Sequence, residues 1–489
     1  MRRSIRFANR LFAQYNAGNL PALNKARTRT VLIGAALLAA ITTCQAETAT
    51  ADAGKSDDPH GIILKPIPER LVVPTFDDGP AGSYTVVAPI LKSLGFGGSF
   101  YICDFDSFGG GMSGPGGFTK IGPQGGFGRV NSGWVFPWGT NTYSGTTTVC
   151  QGTLIVKRAA SLYNADAAQW TASKISVAPA ATLQISAGGP GEFTGAQVGT
   201  LLKNLTTSVN SNGLMARSVF CIDTANATGA VTVAIDMSDS KGPGGGAFVL
   251  KKCGAGALRL SGNNTYTGQT ILEGGTLSVA SLNSVVNGKG SSGLGAPANV
   301  ETGEIVIGSG DGEFTLVYTG TGETSDRVMN LAGKKSTVTF DQSGTGLLKL
   351  TRTFVISGYG ASKIVMLKGG TAGTGEIAGN IVNPYDRAGK ATTAVTKYGT
   401  GTWTLSGTNS YTGPTTVTQG TLSLANARSL GDKTDVHLSE GAMLDLSFKG
   451  EMRIGALYLD GKLQPAGSYG AANASRFIEG KGTLKVSDR

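Results

Sequence analysis

Three stretches of this chain align over sixteen positions without a gap: "NTYSGTTTVCQGTLIV" (141–156), "NTYTGQTILEGGTLSV" (264–279) and "NSYTGPTTVTQGTLSL" (409–424). Seven positions are identical in all three, so they are copies of one unit. Each copy has the same internal logic. A Tyr and a Gly (Tyr266 and Gly268 in the second) make a corner. A Thr-rich alternating strand follows, then a Gly turn (Gly152, Gly275, Gly420) and a second strand. In the second strand, alternation sends Leu154 and Val156 to one side and Thr153 and Ile155 to the other. Upstream, "LKKCGAGALRLSG" (250–262) and "TKYGTGTWTLSG" (396–407) form another shared unit with strands after Gly turns.

A strand–turn–strand unit of this size cannot bury its own apolar side and must stack on neighbours. Successive copies lie more than 100 residues apart, so they are landmarks in a longer array. The expected fold over 107–489 is therefore all-β: a right-handed parallel β-helix, a solenoid whose coils hydrogen-bond to one another. At roughly 20–25 residues per coil, the stretch yields on the order of 15–19 coils and a rod of about 70–90 Å. Gly is 75 of 489 residues and charged residues are only 15%, which suits short strands with tight turns and excludes a disordered, solvated chain. Separate β-sandwiches are the competing architecture, but the Gly turns recur too often and the apolar segments are too short and even. No strong helix is expected in this region. The stretch "GPQGGFGRVNSGWVFPWG" (122–139) reads as a packed insertion carrying Trp134 and Trp138.

Ahead of the array the composition differs. Residues 1–46 hold seven Lys or Arg and no Asp or Glu, then the apolar run "VLIGAALLAAITTC" and the small-residue exit "CQAE". That is the pattern of an export signal. The chain's net charge of +10 falls to +3 once the seven are set aside, and no basic cluster is interleaved with aromatics, so nucleic acid is not an expected partner. A polar linker spans 47–69. Within 70–106, "LVVPTF" and "FGGSFYICDF" read as strands around a helix at 84–95, where Val87, Ile90, Leu91 and Leu94 share a face. Cys103, Cys150, Cys221 and Cys253 form no CxxC pair; they are expected to be small apolar plugs, although an oxidising compartment permits disulfides. "GSGDGE" (308–313) reads as a plain turn rather than a calcium loop, and His437 as a strand side chain.

Two resemblances follow from these residues. The stretch "GTGTWTLSGTNSYTGPTTVTQGTLSLA" (399–425) resembles the autotransporter-associated β-strand repeat, and most of the remaining array is similar. "LYLDGKLQPAGSYGAANASRFIEGKGTLKV" (457–486) resembles the last coils of such proteins. This resemblance implies a secreted or cell-envelope protein; the expected role is a structural or adhesive scaffold without catalysis, whose long regular solenoid face offers a binding surface for glycans or cell-surface proteins. The chain ends at "KVSDR", so no membrane barrel is expected. The string "TFDDGP" with the strand and helix after it resembles the N-terminal part of NodB-type polysaccharide deacetylases. That resemblance implies a catalytic base at Asp77, a metal ligand at Asp78 and Zn²⁺ or another divalent cation. The family's HxxxH pair is missing: the chain's two histidines are His60 and His437. Because a catalytic zinc takes three protein ligands, the expectation is a vestigial fragment with no cofactor; a metal-dependent deacetylase is the alternative.

Overall fold

In the computed structural model the described residues are 139–487 except 309–311, 334–335, 358–359 and 432. To these are added 111–120, 134–136 and the strands Leu71–Val72, Thr75–Phe76, Gly97–Gly98 and Tyr101–Ile102. The expected export segment, the linker, the helix at 84–95, Asp77, Asp78 and Trp138 lie outside them. Leu71–Val72 pairs in parallel with Gly97–Gly98, and Thr75–Phe76 with Tyr101–Ile102.

From 111 onward strands pair almost entirely in parallel, coil on coil. An eight-stranded sheet runs from Trp134–Phe136 to Met329–Leu331; an eleven-stranded sheet runs from Val231–Val233 to Lys462–Leu463. A second eight-stranded sheet begins at Glu323–Ser325, and a three-stranded one holds Phe118–Lys120, Thr147–Val149 and Ile175–Val177. Between Ile305 and Ile377 the chain visits the three large sheets in strict rotation. The coil is thus a three-faced prism, a parallel β-helix. The short sheet precedes the first large one in each coil, the place the last sheet takes further along.

Side chains alternate, and the inward set stacks by identity of size and polarity. One column runs Leu154, Leu183, Phe220, Leu250, and another Leu258, Leu277, Leu316, Phe340, Leu367. All are buried. Fully removing one such side chain from water contributes about 1.5–3 kcal/mol, so each coil is stable only between its neighbours.

Four expectations change. Coil length is uneven: register advances 20 residues from Leu250 to Thr270 but 37 from Leu183 to Phe220. Insertions therefore reduce the coil number. Eight strands of the first sheet, a ninth coil marked by the Asn330–Val355 bridge, and four more at Thr393–Lys397, Thr415–Val417, Val436–Leu438 and Leu457–Leu459 give thirteen among the described residues. A helix does occur, Gly195–Thr207, inside the coil between Leu183 and Phe220. The Thr194 hydroxyl accepts from the Gln197 N–H while the Gln197 side chain accepts from the Thr194 N–H, and Val198, Leu201, Leu202 and Leu205 are buried in the common core. Trp134–Phe136 is a regular strand paired with Thr153–Val156, not an insertion. Cys221 and Cys253 are joined by a disulfide rather than sitting as separate plugs, because register places them on adjacent coils two residues apart.

The last coil is closed by antiparallel pieces. Asp460 and Gly461, both at positive φ (50° and 75°), turn Leu457–Leu459 back onto Lys462–Leu463. Gly467–Tyr469 lies antiparallel on Ile478–Val486. Short reversed strands of this kind leave little free edge for another chain to extend.

Candidate functional site

The seven invariant positions of the repeat build one corner three times. The Asn side chain clasps two coils. Asn264 Oδ1 accepts from the Met237 N–H (2.9 Å) in the coil before, and its Nδ2 donates to the Gly293 carbonyl (2.7 Å) in the coil after. Asn141 does the same with Met112 and Ser161, and Asn409 with Ile381 and Ser429. The Tyr ring fills the corner, its hydroxyl paired to a buried Thr four residues on: Tyr143–Thr147, Tyr266–Thr270 (2.8 Å) and Tyr411–Thr415 (2.7 Å). Burial raises the phenol pKa of all three, and at Tyr266 the nearby Arg327 charge opposes part of the rise.

The glycines are required for two reasons. A Cβ on Gly268 would lie 1.8 Å from the Phe248 carbonyl of the coil before, so only hydrogen fits. Gly152, Gly275 and Gly420 have φ of 71°, 61° and 70°, the left-handed region that glycine enters freely. The unit below each copy supplies a lysine that the sequence reading overlooked. Lys252 Nζ donates to the carbonyls of Cys253, Gly254 and Gly274 (2.8, 2.6 and 2.8 Å). Lys397 Nζ donates to Tyr398, Gly399 and Gln419. Both side chains are buried, and desolvation pulls each pKa down to about 8. Buried Lys120 holds the matching register below the first copy, opposite Val149. The signal was present: in "LKKCGAG" and "VTKYGTG" the lysine stands two residues before the glycine.

The three copies occupy different corners. The first spans the short sheet and the first large sheet, the second the first and the eleven-stranded sheet, the third the eleven-stranded and the last. Repetition therefore dictates internal bonding, while outward side chains are free to vary. On the eleven-stranded sheet one outward column runs in register through Thr276, Thr315 and Thr339, then Met366, then Thr396, Thr416, His437 and Tyr458. The His437 and Tyr458 rings stack at 4.3 Å, 3° from parallel. His437 is thus a strand side chain, as the sequence suggested, but it lies half-buried on the outer surface rather than buried or at a rim. The last sheet is more polar outside: Lys349 pairs with Glu376 (2.9 Å), and Asp445 accepts from Ser423 and Ser447.

No group of three His, Cys, Asp or Glu able to hold a metal occurs among the described residues. Asp77 and Asp78, the expected base and ligand, lie outside the described residues, as do residues 309–311 of "GSGDGE". No described helix is long and apolar enough to cross a membrane, which says nothing of a β-barrel.

The fold and corners define a class: a parallel β-helix assembled from recurrent Asn–Tyr–Gly–Thr corners. Comparison with known proteins agrees. Residues 134–156, 250–279 and 395–424 match the passenger-associated-transport-repeat family. The last two segments each cover two stacked coils, the lysine unit and the Asn–Tyr unit above it. The adhesin BmaC autotransporter of Brucella suis biovar 1 (strain 1330) is 30% identical over 167 residues, 34% of this chain and 5% of that protein. The chain thus aligns with a small fraction of that relative. No solved structure matches. The passenger repeats and the adhesin similarity imply secretion to the cell envelope or surface, the location expected from the sequence.

Proposed function

We propose that this chain is a surface-exposed or secreted scaffold that works by adhesion, holding glycans or cell-surface proteins on the outside of a non-catalytic β-helix. The observation that supports it is the passenger-repeat match coinciding with the coils of a parallel β-helix, together with similarity to an adhesin. A long rigid prism with an invariant interior offers a surface whose side chains vary independently of the fold. Displayed on a non-adherent bacterium, the full chain is expected to raise attachment to cells or glycan-coated surfaces well above an empty-vector strain. Attachment equal to that control would defeat the reading. The non-catalytic part has its own test. The purified chain is expected to carry no stoichiometric zinc and to release no acetate from acetylated glycans; activity lost in Asp77→Asn would instead establish the deacetylase alternative.

A further inference from the structure

We infer that the outer face of the eleven-stranded sheet is a track for an extended, uncharged polysaccharide. This rests on the adhesive reading and assigns it a ligand and a place. The track is the outward column from Thr276 to Tyr458: four half-buried threonines and the buried Thr339, Met366, then His437 and Tyr458 at its end.

Three observations carry it. The column crosses eight consecutive coils with no Asp, Glu, Lys or Arg. Charges stand only in the flanking columns: two residues further along, Asp341 and Lys368 pair with each other at 3.2 Å, and two residues earlier lie Glu313 and Asp435. A polyanion or polycation finds no charged partner in this column, whereas sugar hydroxyl groups meet a half-buried threonine, donor and acceptor, on four of the eight coils. Second, the positions repeat with the coil spacing of about 4.8 Å, for about 34 Å in all. Such a row suits a polymer whose own units repeat over a similar length, not the irregular surface of a globular protein. Third, the column ends on flat rings. His437 and Tyr458 are stacked and partly exposed, and Tyr398, directly after Lys397 on the same sheet, is 49% exposed. An aromatic face takes the apolar C–H side of a sugar ring while its polar edge remains in water. The aliphatic side chains Met366 and Ile364 widen this apolar strip.

The test is a pull-down of the full chain with insoluble cellulose, chitin, mannan and starch, beside heparin-agarose and collagen-coated beads. Retention on at least one neutral polysaccharide, unchanged by added salt, is expected. Thr396→Arg, which places a charge in mid-column on an outward position, and Tyr458→Ala are each expected to weaken retention about tenfold or more with an unchanged melting profile. Thr404→Arg, outward on the last sheet, is expected to leave it intact. Binding only to heparin or collagen, or retention indifferent to Thr396→Arg, would overturn the track. If displayed cells still adhere in that case, the scaffold reading survives and only the ligand and face are wrong. If cells do not adhere and no resin retains the chain, both fail.

Discussion

Each polar atom of the Asn409 amide serves a different coil, which is why no other residue type at this position does the same work. Asp lacks the donor, and Gln does not place both atoms at the corner. In Asn409→Ala the Ile381 amide loses its acceptor. Its hydrogen exchange is expected to quicken about tenfold, or about 1.4 kcal/mol, while exchange in Gly420–Leu424 stays slow. The buried lysines act in the opposite direction on charge. Three carbonyl acceptors around Lys397 match the three hydrogens of an ammonium group, yet burial opposes the charge and lowers its pKa to about 8 from 10.5. For a base whose folded pKa lies below its unfolded value, the unfolded chain binds more protons between the two. The cost of the buried charge is therefore complete below about pH 8 and is relieved as pH rises toward the ordinary lysine range. Urea midpoints are expected to climb between pH 8 and about 9.5, less steeply in Lys397→Met. That variant should also be destabilised overall by about 2 kcal/mol or more, because three carbonyls lose their donor.

Among elements, the Cys221–Cys253 bridge ties neighbouring strands of one sheet across a sequence separation of 32. Reduction releases a loop of that length in the unfolded chain, an effect of about 3–4 kcal/mol on a chain-entropy account. Chemical denaturation with and without reductant is expected to show loosening first around Val219–Asp223 and Val249–Cys253, with the third repeat copy unaffected. The helix Gly195–Thr207 was legible and was missed. Thr194 and Gln197 have the spacing of a capping box, and Val198, Leu201, Leu202 and Leu205 share one face. Glycine-rich surroundings obscured that short signal. The expected coil number exceeds the thirteen present among the described residues for a related reason: insertions such as this one hide between regular strands, and strand spacing alone does not reveal them.

For the whole molecule, a solenoid has two ends, and each exposes strand edges unless something covers them. Here the reversed strands after Leu459 cover one end. A chain truncated after Leu459 is expected to keep its β circular dichroism but to self-associate, seen as a concentration-dependent mass by light scattering. A monomer at all concentrations would show that the terminal pieces do not protect the edge. What the sequence determined by itself was the stacking. Identical Asn, Tyr, Gly and Thr positions announce a corner that recurs, because these residues act through bonds within one coil and to its two neighbours. What only the tertiary structure decided was placement. Which sheet each copy enters, which cysteines meet, and which outward side chains align into one column depend on the summed lengths of all intervening loops. Loop length costs little free energy and is weakly constrained by local pattern, so no local signal records its total.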